Sequence, residues 1–493
     1  MATKTFAAGK QMHLNFFELA CNGSHMCTGQ WNSSDFDPNQ TLILLRNHRD
    51  PADNTKNKSS IDHYLWLAKL AERGKITSIF FADVYGIFDV YQGKPDAIFA
   101  GGSMCAYLDP VTLISAMATV TKSVSFGVTG STSYIAPFIL ARTWATLDHI
   151  TKGRIAWNVV TSFNTTAAQA MGLDDVKSSK ERYEAAHEYM DLCYQLWEKS
   201  WEDGAMKWSV DPEMAYDASK IHKIHFEGKH HRCHAIAQTH PSPQRTPVIF
   251  QAGASKSGID FAGKHAEAIY TDNSTIASLR SYVQDVRDAA VAHGRAPGSV
   301  KIFMAIAPIL GRTHDEAVAK HDHARSLAST QSGLAKFSGY TNVDLAQYPL
   351  HEPFDFELQA SDNTVTGVIK NYRLKQKEST EPFTPEYIGR MAGFGSTPKP
   401  TGTAAEVADI LEEWFRETGI DGFNLVYISN PTSYEDIVDL LVPELQRRGL
   451  MWDDYTVPGG TFRENLHNVP GKPKLADDHP GSQFKWDAPG QTF

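Results

Sequence analysis

No stretch of this chain approaches the roughly 18 consecutive apolar residues that a membrane-spanning helix needs. Cysteine is scarce: Cys21, Cys27, Cys105, Cys193 and Cys233 are the five in 493 residues. They are odd in number, scattered and without a Cys-x-x-Cys pair, which argues against a disulfide framework. Positive charge is in deficit, with a net charge of −10, and a surface of that sign repels a nucleic-acid backbone. The opening MATKTFAAGKQMH lacks the apolar core of a signal peptide, and the closing GQTF is not a peroxisomal address. These absences lead us to expect a reduced, cytoplasmic protein that engages neither nucleic acid nor membrane.

What is present is an alternation of short apolar runs with amphipathic stretches. The runs are MHLNFF (12–17), ITSIFFA (76–82), SVSFGVTGST (123–132), RIAWNVVT (154–161), PVIFQAG (247–253), AEAIYTD (266–272), VKIFMAIAPIL (300–310) and GFNLVYI (422–428). Between them lie helix-like segments such as DHYLWLAKLAERG and TAAEVADILEEWFRETG, several ending in the glycine of a helix C-cap. Strands buried on both faces read as continuous apolar runs. Eight βα units predict an α/β fold, a (β/α)8 TIM barrel with its chemistry on the loops after the strands; an open doubly wound sheet is the alternative. One barrel domain is expected over 1–468, with insertions at 37–60 and 311–402, the second a helical lid over the mouth. A non-periodic C-terminal tail follows over 469–493.

The stretch TPVIFQAGASKSGIDFAGKHAEAIY (246–270) offers a false lead and a real one. Gly258 and Gly263-Lys264 have P-loop spacing, but Gly263-Lys264 falls at a helix end and His265 stands where Ser or Thr would hold Mg²⁺. Upstream, Gln251-Ala-Gly-Ala-Ser-Lys-Ser-Gly258 follows a strand and opens a helix. Free backbone N–H groups and the helix dipole at such a place suit a monophosphate, and Gly253 allows close approach. An ordinary capped turn uses the same residues, so spacing leaves both readings open. HKIHFEGKHHRCH (222–234) is rich in imidazole but lacks paired metal-ligand spacing, and a β-hairpin is the better expectation. Asp83 and Asp272 end widely separated strands, so a glycosidase carboxylate pair is not favoured.

Several motifs go further. MHLNFF, Asn22-Gly-Ser-His25 followed by Trp31, ATLDHITKGRIAWNVVTS, ERYEAAHEYM, QAGAS-x-x-G, YPL (348–350), DGFNLV and VPELQRRG occur in order from about 12 to 466. Together they resemble the nitrilotriacetate / dibenzothiophene-sulfone monooxygenase branch of the bacterial-luciferase-like flavin monooxygenases. The resemblance implies an oxygenase component that takes reduced FMN from a separate NAD(P)H:flavin reductase and activates O₂ as a peroxyflavin. It then oxygenates a small organic substrate such as a sulfone or an aminopolycarboxylate. A homodimer or homotetramer is implied as well.

By the same resemblance Asp83, Thr129, Tyr183 and Ser255, with Gly253, match the family's flavin contacts. Ser179 stands where a histidine is usual. His25 matches a pocket histidine suited to acid–base work near neutrality. Tyr340 occupies the place of a second histidine before YPL, and a phenol titrates far higher. These two departures motivate the alternative of a flavin-binding or sensing protein without turnover. Phe16, Tyr85, Trp157 and Phe163 are candidates for an apolar pocket wall.

Overall fold

The structure, a computed structural model, describes residues 9–22, 26–30, 58–353 and 379–490, together with positions 368, 372 and 374. Each apolar run forms a strand. They are β1 (His13–Leu19), β2 (Ser78–Ala82), β3 (Ser125–Ser131), β4 (Ile155–Val160), β5 (Val248–Ala252), β6 (Ala268–Thr271), β7 (Lys301–Ile306) and β8 (Gly422–Val426). All pairings are parallel between sequence neighbours, and β1 pairs β8 from His13↔Gly422 to Phe17↔Val426, which closes the barrel. Gly422 is required at that seam: its φ is +153°, and a Cβ there would stand 1.9 Å from the His13 carbonyl oxygen.

Strand side chains alternate between two apolar environments. Phe80, Ala156, Val248, Phe250, Ala268, Tyr270 and Phe303 point into the bore, where Phe80 stacks on Tyr270 at 4.2 Å. Leu14, Phe16, Ile79, Phe81, Val128, Trp157, Ile249 and Ile269 point outward into the core beneath the helices. Those helices begin at side-chain caps that satisfy first-turn amides: Asp109 for Pro110–Thr119, Ser178 for Ser179–Tyr194, Ser255 for Lys256–His265 and Thr403 for Ala404–Thr418.

Three further features bear on the site. Ile309–Leu310 and Thr401–Gly402 pair in parallel, so the chain leaves the barrel after β7 and returns beside the same point. Between them run the helices His314–Leu327, Thr330–Thr341 and Pro385–Phe394. At the N-terminal end of the bore, Phe462 and Leu466 of the helix Phe462–His467 pack against Phe250 and its neighbours. The tail lies on the outer helices, with His479 Nε2 donating to the His265 carbonyl at 2.9 Å and Phe484 stacked on Tyr194. The histidine-rich segment is an antiparallel hairpin, Ile224–Glu227 with Arg232–Ala235, as expected.

Candidate active site at the C-terminal mouth of the barrel

The turn after β5 gathers several of the expected residues. Ser255 caps the helix Lys256–His265, its Oγ accepting from the Gly258 amide at 3.1 Å. The point where a Cβ on Gly258 would stand lies 3.0 Å from Tyr183 Oη, 3.2 Å from Gly253 Cα and 3.2 Å from Ser255 Oγ. Gly253, Ser255, Gly258 and the Tyr183 phenol therefore converge at a helix start, where first-turn amides face outward and favour an anion. Tyr282 donates to the Gly253 carbonyl at 2.7 Å, which fixes the turn from below. Burial raises the Tyr183 pKa, with Ser255 pulling the other way, so the phenol stays a neutral donor. Ser179 lies in the first turn of its helix, one turn ahead of Tyr183.

Inside the mouth, Thr129 on β3 donates to the Phe81 carbonyl at 3.0 Å and accepts from Asn158 Nδ2 at 2.9 Å. Asn158 is 2 % exposed, and its Oδ1 is buried without a partner among the described residues, as is Gln251 Oε1 on the adjacent strand. Sequence reading overlooked both, although a lone amide inside an apolar strand is a visible signal.

Asp83 follows β2 directly, half-buried, with Oδ1 accepting from the Val84 amide at 2.9 Å. Burial pushes its pKa up to about 7; that amide works against the shift and Asp109 adds to it. Asp83 thus titrates near neutrality without being a histidine.

Tyr340 arrives from the inserted helix Thr330–Thr341. Its ring meets Phe88 edge-on at 5.0 Å and stacks on Phe163 at 6.3 Å, and its hydroxyl donates to Met104 Sδ at 3.8 Å. Burial, with Asp272 nearby, raises its hydroxyl above the usual phenol range. Loops after β2 and β4 and the insertion thus share one apolar rim cluster, which also holds Tyr107 and Cys105 partly exposed. Of the proposed pocket wall, Phe163 belongs to this rim, and Tyr85 lies exposed beside Tyr134. Phe16 and Trp157 do not. Both point outward, Phe16 against Tyr434 at 4.3 Å and Trp157 among Trp144, Tyr189 and Trp197.

His25 and residues 37–57 of the first insertion lie outside the described residues. A cavity of about 410 Å³ opens at the opposite end of the barrel, lined by Lys10, His13, Lys301, Asp421 and Trp452, remote from all these groups. Among the described residues no three His, Cys, Asp or Glu side chains gather as a metal-holding group, and no helix is long and apolar enough to cross a membrane.

A closed barrel with its polar groups at the C-terminal mouth can be set against known proteins. The family described as "Luciferase-like monooxygenase" matches residues 40–422. The chain belongs to that family. It is 38 % identical to a long-chain alkane monooxygenase of Geobacillus thermodenitrificans, over 97 % of this chain and 98 % of that one. It is 37 % identical to a dimethyl-sulfide monooxygenase of Hyphomicrobium sulfonivorans, over 97 % and 94 %. Dibenzothiophene-sulfone monooxygenase of Rhodococcus erythropolis (strain XP) and component A of nitrilotriacetate monooxygenase of Aminobacter aminovorans, the names the motifs pointed to, are 32 % and 31 % identical, each over 93 % of this chain. Among solved structures, riboflavin lyase, crystallised with modified FMN and riboflavin, superposes with a TM-score of 0.84 at 30 % identity, covering 97 % of this chain and 100 % of the other. The chain is accordingly an enzyme of the monooxygenase class.

Proposed function

We propose that this chain is the oxygenase component of a two-component system, binding reduced FMN from a separate NAD(P)H:flavin reductase and oxygenating a small, uncharged organic substrate. The observation that carries this reading is the convergence of Gly253, Ser255, Gly258 and Tyr183 at a helix start, with the unpartnered acceptor of Asn158 deeper in the same mouth. The first group suits a phosphate and the second a ring N–H donor, so the residues present fit FMN.

Reduced FMN supplies the electrons with which O₂ is activated. The residues do the rest. Ser255, Tyr183 and the helix start hold the anionic end. Phe88, Phe163 and Tyr340 keep water from the ring. Asp83, protonated on Oδ2 below a pKa of about 7, holds a proton at the mouth near neutral pH. Tyr340 gives a hydrogen bond but no proton at that pH. The apolar rim favours a sulfide, sulfone or hydrocarbon over an aminopolycarboxylate, whose charge the Asp272 carboxylate near Tyr340 repels.

The test is oxygen incorporation from labelled O₂ into dimethyl sulfide, a dibenzothiophene sulfone, an n-alkane and nitrilotriacetate, with FMN, NADH and a flavin reductase present. Label is expected in an uncharged substrate and only with the reductase. Turnover confined to nitrilotriacetate, or independent of reductase, would overturn the proposal.

A further inference from the structure

We infer that the cavity at the N-terminal end of the barrel is a second ligand site, one that takes a small organic carboxylate with a flat apolar body. It lies at the end away from the flavin mouth and stands independently of the FMN reading. Its polar wall comes from the starts of three neighbouring strands: His13 opens β1, Lys301 opens β7, and Asp421 stands directly before β8. The space of about 410 Å³ is in the range of small-molecule sites. It far exceeds the roughly 30 Å³ that one water occupies.

His13 is the residue that calls for a ligand. It is 3 % exposed, and its Nδ1 lies 3.1 Å from Thr77 Oγ1. Nε2 has no partner among the described residues, yet it is not sealed in the interior, so it opens on the cavity that the ring lines. Burial, and after it the nearby Lys301, pushes the imidazole pKa down to about 3, so the ring is neutral. The Thr77 hydroxyl can donate to Nδ1 as well as accept from it. When it donates, the imidazole proton sits on Nε2 and faces the cavity as a donor.

The charges select the sign of the ligand. The Asp421 carboxylate is already used: Oδ2 accepts from the Ile302 amide at 3.0 Å, and Oδ1 faces Lys10 at 3.2 Å and Lys301 at 3.6 Å. Lys10 is occupied as well, donating to the carbonyls of Gly419 and Ile420 at 3.2 and 2.7 Å. Lys301 meets only the one distant carboxylate oxygen among the described residues. Two cations thus share one anion, and the surplus rests on Lys301. A carboxylate supplies the missing charge and two acceptors, for Lys301 Nζ and His13 Nε2. Trp452, whose ring lies 4.6 Å from that of His13 on the same wall, suits a flat apolar body better than a bare anion. Such a ligand ties β7 to β1 across β8, the strand whose pairing closes the barrel, and so stabilises the closed form by mass action.

The experiment titrates the full chain calorimetrically with benzoate, benzamide and sulfate, with and without saturating FMN, and follows thermal melting alongside. Benzoate is expected to bind equally well in both conditions and to raise the melting temperature. Benzamide, which lacks the charge, and sulfate, which lacks the ring, are each expected to bind at least about tenfold more weakly. Lys301→Met is expected to lose about tenfold or more in benzoate affinity, together with the melting shift, and Lys301→Arg to keep both. Absence of benzoate binding to wild type overturns the inference. So does an affinity unchanged in Lys301→Met, benzamide or sulfate binding as tightly as benzoate, or displacement of benzoate by FMN.

Discussion

At the N-terminal end of the barrel, Arg463 donates to both oxygens of Glu267, at 2.7 and 2.8 Å, and to the carbonyls of Thr246 and Pro473. At the C-terminal end, Asn158 and Gln251 keep buried acceptors with no partner among the described residues, and burial raises the Asp83 pKa to about 7. Both ends bury polar atoms, but the first set is closed on itself and the second is left open. Buried polarity that is internally paired fixes the fold, whereas buried polarity with a free valence awaits a ligand.

The sharpest way to break this contrast is Arg463→Ala. It strands the Glu267 carboxylate in the interior and is expected to lower stability by about 3–5 kcal/mol in denaturant unfolding. FMN affinity of the folded fraction should not change; if it falls as much as stability does, the two ends are not independent. Ser255→Ala acts at the other end. It should weaken reduced-FMN binding by about 1–2 kcal/mol and cost only about 1 kcal/mol of stability through the lost cap, read by fluorescence titration and thermal melting.

A smaller effect concerns pH. The Asp83 carboxyl has its pKa raised by burial from 3.8 to about 7, so the folded chain binds more protons than the unfolded chain between those values. Its contribution to stability is therefore present at low pH and lost as pH rises toward about 7. Asp83→Asn should flatten that part of the melting-temperature profile, and an unaltered profile would place Asp83 in water instead. Smallest is Tyr340→Phe, which keeps the ring between Phe88 and Phe163. Stability should stay within about 0.5 kcal/mol, while oxygenated product per flavin reoxidised declines because a hydrogen-bond donor at the mouth is gone.

The barrel was readable in the sequence because every strand carries apolar residues on both faces, giving eight uninterrupted runs. That same property hid which way each side chain points. Without polar alternation nothing distinguished Phe16 and Trp157, which face the helices, from Phe17 and Phe80, which face the bore. The Ser255 turn was legible because capping is local chemistry within four residues. Ser179 was placed one turn ahead of Tyr183 by helix spacing, but spacing could not tell whether it joins the turn. Asn158 was missed because its meaning depends on Thr129 and Phe81, each on another strand. Tyr107 and the partners of Tyr340 come together only when the insertion folds back on the loops after β2 and β4.

One consequence follows from the plug formed by Phe462 and Leu466. The seam strand β8 and the residues that stop the bore are both made late in synthesis, so a nascent chain on the ribosome holds seven strands with their aromatic lining open to solvent. Chaperone dependence should peak during that interval and end abruptly when the helix Phe462–His467 emerges.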